Sequence, residues 1–285
     1  MKRYISFALL CLFMGSHSLY AQKHRYYYKK HEVGGVVQVG LTNTYGHLPF
    51  NLNSENKVGY GIGGQYDYFV APKWSIGLSG QYSTQTIALY SNNVKGQSQE
   101  VDWENDVFRF QYTAKEYKES WKYSTLDIPL TVQYRGLRET DLYVRTGFKY
   151  SLVMNTEATS TWTDLQTSGY FPKYDVTLED PLFAGFGKQD QVERSYTMDL
   201  KNRFAWIGEI GVKHSLSENQ TLYVGIYFDL GLNSLSPTTT STAKNLVEYQ
   251  PIKDDVLKYN NSQHSSSADF KNYSFGVQVR YSMGL

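Results

Sequence analysis

The feature that most constrains this chain is a period of two. Eight segments alternate apolar residues with small, polar or charged ones. In residues 32–43, Val33, Gly35, Val37, Val39 and Leu41 share one face, and Gln38 and Thr42 the other. Residues 58–69 set Tyr60, Ile62, Tyr66 and Tyr68 against Gly59, Gly61, Gly63, Gln65 and Asp67. From Trp74 onward, Ile76, Leu78 and Tyr82 oppose Ser75, Ser79, Gln81 and Ser83. Residues 124–134 oppose Leu126, Ile128, Leu130, Val132 and Tyr134 to Asp127, Thr131 and Gln133. Residues 141–154 oppose Leu142, Val144, Phe148, Tyr150 and Leu152 to Tyr143, Arg145, Lys149 and Ser151. Residues 203–215 oppose Phe204, Trp206, Ile210 and Val212 to Glu209, Gly211 and Lys213. Residues 221–233 and 273–283 close the series, with Asp229 and Arg280 on their polar faces.

Successive side chains of a strand point to opposite faces, so each segment is a strand with one apolar side. Each is close to the roughly 9–11 residues a tilted strand needs to cross a hydrocarbon layer. The connections alternate in length. Residues 70–73, 135–140 and 216–220 are tight turns, whereas 44–57, 85–123, 155–202 and 234–271 are long. Short turns at one end and long loops at the other are the pattern of outer-membrane barrels. The expected fold is therefore all-β: an eight-stranded antiparallel up-and-down transmembrane β-barrel with short periplasmic turns and long extracellular loops. A soluble barrel would turn the apolar faces inward, where so many aromatics overfill a small interior.

Composition fits a wall that meets lipid with every second residue. Mean hydropathy is −0.49, yet 16% of residues are aromatic, 26 of them tyrosine. At the N-terminus, Lys2 and Arg3 precede an apolar run over residues 4–15, and Leu19-Tyr20-Ala21 offers a cleavage site. This is the layout of a secretory signal peptide over 1–21, leaving a periplasmic tail over 22–31 and the barrel over 32–285. Cys11, the single cysteine, follows Leu10, which is too large for a lipoprotein cleavage site, and lies in the leader. The mature chain then has no thiol chemistry or disulfide. Without Lys2 and Arg3 it carries 26 basic and 27 acidic residues, a balance that excludes a basic nucleic-acid binder.

Strand parity places Asp127, Arg145, Lys149, Glu209, Lys213, Asp229 and Arg280 in the lumen. Eight strands leave an interior just wide enough for side chains, so buried charges there must pair. A turn centred on Arg138 sets Arg135 opposite Asp141 and Asp127 opposite Lys149. A turn centred on Asn219 sets Glu209 opposite Asp229, with Lys149, Lys213 or Arg280 to neutralise the two carboxylates. The expected result is a packed ionic network; acid–base catalysis by the two carboxylates is the competing use. Aromatics end the apolar stripes. Tyr68, Trp74, Tyr134 and Tyr281 lie toward the turns, and Tyr60, Tyr82, Phe204, Trp206 and Tyr273 toward the loops, as two interfacial girdles against outer-membrane lipid.

His24, His31, His47, His214 and His264 show no metal-ligand spacing, and no cofactor motif occurs. His264 before Ser265-Ser266-Ser267 is the one Ser/His set that a membrane lipid enzyme could use. The long connections are rich in aromatics: Trp103, Phe108, Phe110, Tyr112, Tyr117 and Trp121 in one, Trp162, Tyr170, Phe171, Tyr174, Phe183 and Phe186 in another. Phe108 to Tyr112 alternates, which extends a strand beyond the membrane. Such residues serve either contact with a protein or glycan partner or packing of the loops on one another. The tail holding Tyr26-Tyr27-Tyr28-Lys29-Lys30 is a second place for a partner.

The run Leu126-Asp127-Ile128-Pro129-Leu130-Thr131-Val132-Gln133-Tyr134, followed by Leu142-Tyr143-Val144-Arg145-Thr146-Gly147, resembles the fourth-to-fifth strand hairpin of the PorT-type outer-membrane β-barrel domain. That family occurs in Gram-negative bacteria of the Bacteroidota type and is similar in plan to the OmpA transmembrane barrel. The resemblance implies no shared catalytic residues, and one branch, the PorT proteins, is tied to a protein secretion system. The functions in view are thus a structural or surface-interaction barrel with a charge-plugged lumen, a subunit of a secretion or assembly machine, a narrow pore, and a lipid-modifying enzyme. The opposed lumen charges argue against the pore, and no side-chain constellation supports the enzyme.

Overall fold

A computed structural model describes residues 29–285 except 103, 199, 237–242, 251–255 and 266–267. The expected signal peptide, most of the expected tail with His24, and Trp103, Ser266 and Ser267 lie outside the described residues. The described residues form thirteen strands: β1 His31–His47, β2 Asn53–Glu55, β3 Lys57–Ala71, β4 Trp74–Val101, β5 Val107–Arg135, β6 Thr140–Phe171, β7 Val176–Leu178, β8 Gly187–Thr197, β9 Arg203–Ser215, β10 Gln220–Gly231, β11 Val247–Tyr249, β12 Leu257–Tyr259 and β13 Asp269–Gly284.

Eight of them close a ring in the order β1, β3, β4, β5, β6, β9, β10, β13, with β13 pairing back onto β1. Every pairing in the ring is antiparallel. The strands are staggered. From Val33 the register partners run Tyr66, Leu78, Leu130, Phe148, Trp206, Leu230 and Tyr273, and return to Asn43, ten residues along the same strand. For eight strands such a stagger means a tilt of about 40°.

The alternation decides which way each face points. Val37, Ile62, Leu78, Leu130, Phe148, Ile210, Ile226 and Val277, one from each ring strand, are all exposed on the outside. The lumen side holds Ser75, Gln81, Asp127, Arg145, Lys149, Arg203 and Arg280, all buried. Large lumen tyrosines fit because glycine stands opposite them. A Cβ on Gly40 would fall on the Tyr227 hydroxyl, and one on Gly225 on the Tyr143 hydroxyl.

The turn ends are compact. Pro72 and Lys73 link β3 to β4, and Asp141 accepts the Arg138 and Leu142 amides (3.2 and 2.9 Å) in the β5–β6 turn. The opposite end differs from the loops expected there. Much of 85–123 and 155–202 is strand: β4, β5 and β6 run on past the apolar band as one curved sheet, edged by β2 on one side and by β7 and β8 on the other. Its inward face buries Ile87, Leu89, Phe108, Phe110, Trp121 and Trp162. The β10–β13 connection, carrying the β11–β12 hairpin, packs into that face through Leu235, Leu246 and Val247. This outer cap has a hydrophobic core of its own, so most of the loop aromatics pack on one another.

Candidate functional site: the barrel lumen and its outer cap

The lumen is lined by five buried carboxylates (Glu32, Asp67, Asp127, Glu209, Asp229) and six buried cations (Arg135, Arg145, Lys149, Arg203, Lys213, Arg280). They stack in three tiers. Nearest the turns, Arg135 binds Glu32 at 2.5 Å, Tyr223 bridges the two, and the guanidinium lies 3.6 Å from the centre of the Phe69 ring. Lys213 in this tier donates to the Arg138 carbonyl at 2.6 Å.

In the middle tier, Arg280 lies between Glu209 (3.4 Å) and Asp67 (3.9 Å) and donates to Gln133 at 2.7 Å. Arg145 reaches Asp67 at 3.5 Å and donates to Gln65 at 3.0 Å. Glu209 also accepts from Tyr143 and from Gln278. In the upper tier, Asp229 is bound by both Lys149 and Arg203, and Lys149 also holds Asp127 at 3.2 Å. Above it, Asn272, Gln85 and Tyr123 form a triangle of hydrogen bonds within 3 Å. A cavity of about 40 Å³ beside Gln38, Gln81, Lys149, Glu209 and Asp229 has room for only a few waters.

The structure places Asp127, Arg145, Lys149, Glu209, Lys213, Asp229 and Arg280 on the inward face, but both turn registers, and with them three pairings, differ from expectation. The β5–β6 turn centres on Glu139 rather than Arg138, so Arg135 faces Tyr143 and Asp127 faces Ser151. Lys149 still reaches Asp127, diagonally. The β9–β10 turn centres on Glu218 rather than Asn219, so Glu209 faces Tyr227 and not Asp229. Moving a turn centre by one residue slides the pairing by two, which keeps every side chain on its face. The two carboxylates therefore have separate cations, Arg280 for Glu209 and Arg203 with Lys149 for Asp229, and form no acid–base pair. Glu32, Asp67, Arg135 and Arg203 complete the network. Their parity with Gln38, Gln65, Gln133 and Glu209 was the available signal, and the partners became visible only once distant strands met.

The girdle residues sit on the outer surface. Tyr68 lies 5.3 Å from His31, ring centre to ring centre, and Trp74 meets Tyr134 edge-on at 5.1 Å. Tyr281 is exposed near the turn end of β13. Trp206 packs on Phe228 and donates to Thr146 at 3.0 Å, and Tyr273 lies beside Tyr45.

In the cap, Glu119 is buried among aromatics, and among the described residues no cation forms an ion pair with it. It accepts from Tyr117 (2.8 Å), Trp121 (2.5 Å), and the Ser262 amide and hydroxyl (3.1 and 2.8 Å). Burial pushes its carboxyl up from the usual value, against hydrogen bonds from Ser262, Trp121 and Tyr117 that favour the charged form. His264 is occupied differently from a catalytic base: its Nδ1 accepts the Asn261 amide at 3.1 Å and caps a short helical turn. Among the described residues no group of three or more His, Cys, Asp or Glu side chains is placed to hold a metal ion.

An apolar outer wall, a charged interior and ring closure with alternating short and long connections define a transmembrane β-barrel. The family model for the outer membrane protein beta-barrel domain matches residues 20–236, and the chain belongs to that family. It is a protein of the outer membrane. Among solved structures it is similar to OprG from Pseudomonas aeruginosa (11% identity, 90% of this chain and 97% of that one, TM-score 0.37). It is also similar to Ail, the attachment invasion locus protein of Yersinia pestis, solved with the heparin analogue sucrose octasulfate (10%, 89% and 99%, 0.31). A third is the outer membrane protease OmpT from Escherichia coli (12%, 93% and 99%, 0.30). No curated protein matches the chain.

Proposed function

We propose that this protein displays a rigid binding surface outside the cell on a barrel whose lumen is plugged by its ion pairs. The observation that carries this reading is the outer cap. Ordering three strands far beyond the membrane costs conformational entropy, and an aromatic core compensates for it. Loops this long are uncommon unless functional or disordered, and these are folded. The lumen tiers support the plug, because each buried charge there has an opposite charge or a hydrogen-bond partner and the cavity between them is small. Residues 1–21 act as the cleaved export leader, so that N-terminal sequencing of the mature protein should begin at Gln22.

The second reading is a subunit of a PorT-type secretion machine, favoured by the hairpin sequence over 126–147. Cross-linking separates the two. With reactive cysteines at Glu179 in the cap and Glu218 in a periplasmic turn, the display reading expects adducts from Glu179→Cys on intact cells. Adducts formed only from Glu218→Cys, with a stoichiometric periplasmic protein, would move the assignment to the machine.

A further inference from the structure

The far tip of the cap breaks the rule followed by the rest of its surface. Along the body of the sheet the outward face is mostly Thr, Ser, Gln, Lys and Arg, with Val101 and Val107 exposed at the β4–β5 hairpin tip, and the edge strand β8 carries the exposed charges Lys188, Asp190, Glu193 and Arg194. Charges on an edge discourage another chain from pairing with it. β7 carries none. Val176, Thr177 and Leu178 are all exposed, and among the described residues the single sheet neighbour of β7 is β6. Beside it, Tyr174 and Leu182 are more than half exposed and Phe183 is 84% exposed, far beyond what a side chain in the cap core shows. Apolar groups gathered at one tip mark an interaction site rather than ordinary scatter.

The rim of this patch is acidic. Asp175, Glu179 and Asp180 flank β7 and are exposed. Asp106, in the neighbouring hairpin tip, binds Lys173 at 2.8 Å and accepts from Tyr174 at 2.8 Å, which brings Asp102 and Glu104 to the same end. Lys173 is thus already engaged.

We propose that the β7 edge docks an extended, cationic segment of a partner protein. The segment adds as a further strand and sets its apolar side chains against Val176, Leu178 and Phe183. Main-chain pairing gives such contacts affinity and the side-chain pockets give them selectivity, while the acidic rim selects positive charge. A second copy of this chain would bring the same acidic rim and be repelled. The inference rests on the display reading and names the class of partner.

The test uses the full-length protein folded in detergent. The probes are a fluorescent peptide of alternating lysine and valine, its glutamate–valine counterpart, and the lysine–valine peptide N-methylated along one edge. Saturable binding of the first alone is expected, weakening as salt rises. Asp175→Asn with Glu179→Gln and Asp180→Asn, and separately Phe183→Ser, should each weaken it by about tenfold or more. Heat-dependent gel mobility checks that each variant is folded. Equal binding of the N-methylated or acidic peptide, no binding at all, or peptide-independent self-association would overturn the proposal. Labelling of Glu179→Cys on intact cells by an impermeant thiol reagent separates the two ideas. A labelled tip that binds no peptide ends the docking proposal alone, and an unlabelled tip ends the display reading itself.

Discussion

The same three strands behave oppositely in the two halves of this molecule. Below Tyr123, β5 shows Leu126, Ile128, Leu130 and Val132 outward and hides Thr125, Asp127, Thr131, Gln133 and Arg135. Above it, β5 shows Lys118 and Lys122 outward and hides Trp121, Tyr117, Tyr112, Phe110 and Phe108. β6 changes in the same way, from outward Phe148 over buried Lys149 to outward Thr161 beside buried Trp162. β4 and β5 stay paired through the change, and β5 and β6 resume their pairing after a one-residue register shift between Lys122 and Ser124. What inverts is the solvent: lipid outside the lower half demands apolar side chains there, whereas water outside the cap allows the apolar set to move inside. The lower half therefore resists change through paired charge and the cap through packing, and the two should fail in different ways.

Removing a shared counter-ion should break the lower half hardest. Asp229→Ala leaves Arg203 without its carboxylate and Lys149 with Asp127 alone, and an uncompensated buried charge costs about 3–5 kcal/mol. The expected outcome is a lower urea midpoint for the whole barrel in lipid vesicles. An ionic current across planar bilayers, absent in the parent protein, should accompany it.

Packing loss should break the cap alone. Trp162→Ala removes a fully buried side chain set 5.1 Å from both the Tyr117 and Tyr259 rings, at about 3–5 kcal/mol. Protease should then cut within 155–200 while the barrel keeps its heat-dependent gel mobility. A variant in which barrel and cap melt together would show that the two halves are one cooperative unit.

Smaller changes sharpen the comparison within the cap. Ser262→Ala removes a hydrogen bond to a carboxylate, worth about 1.5–3 kcal/mol, and should raise amide exchange over residues 257–264 without reaching β3 or β13.

The smallest effect is one of pH. Because burial raises the Glu119 carboxyl above its unfolded value of 4.5, the folded cap binds that proton more readily than the opened one. Its contribution is fully present below 4.5 and is lost as pH rises through the raised folded value. His264, held below 6.5 by burial, has the opposite sign and disfavours the cap as pH falls. Glu119→Gln should remove the first component, flattening the acid-range dependence of exchange in this segment. An unchanged profile would show that Glu119 holds its charge throughout.

How much of this was legible depended on whether alternation ran unbroken. β9 spans Arg203–Ser215, where a strict period of two places it, and seven of the eleven buried lumen charges lie where parity put them. In the cap the period is interrupted. Asn93, Asn155 and Asp164 adopt positive φ, and the inward set on β4 passes from Ile87 and Leu89 to Val94, and on β5 from Tyr117 to Ala114. Asn93 stands opposite Lys115, the residue that reaches Asp164 at 4.0 Å, so the breaks line up across three strands. One inserted residue reverses the faces without ending the strand, and an alternating pattern read along the chain takes that reversal for a loop.

The sequence by itself determined the eight spanning strands, their faces and most of the charges of the lumen, because the period of two is a local property and lipid admits one answer to it. Only the tertiary structure decided which charge meets which, since Arg280 finds Glu209 and Asp67, and Glu32 finds Arg135, across strands far apart in the chain. It also decided that the aromatic loops form a cap rather than separate arms. A hydrophobic core takes its stability from surfaces brought together, and the partners of Trp121 and Trp162 include Phe270 and Tyr259 from the last connection and strand of the chain.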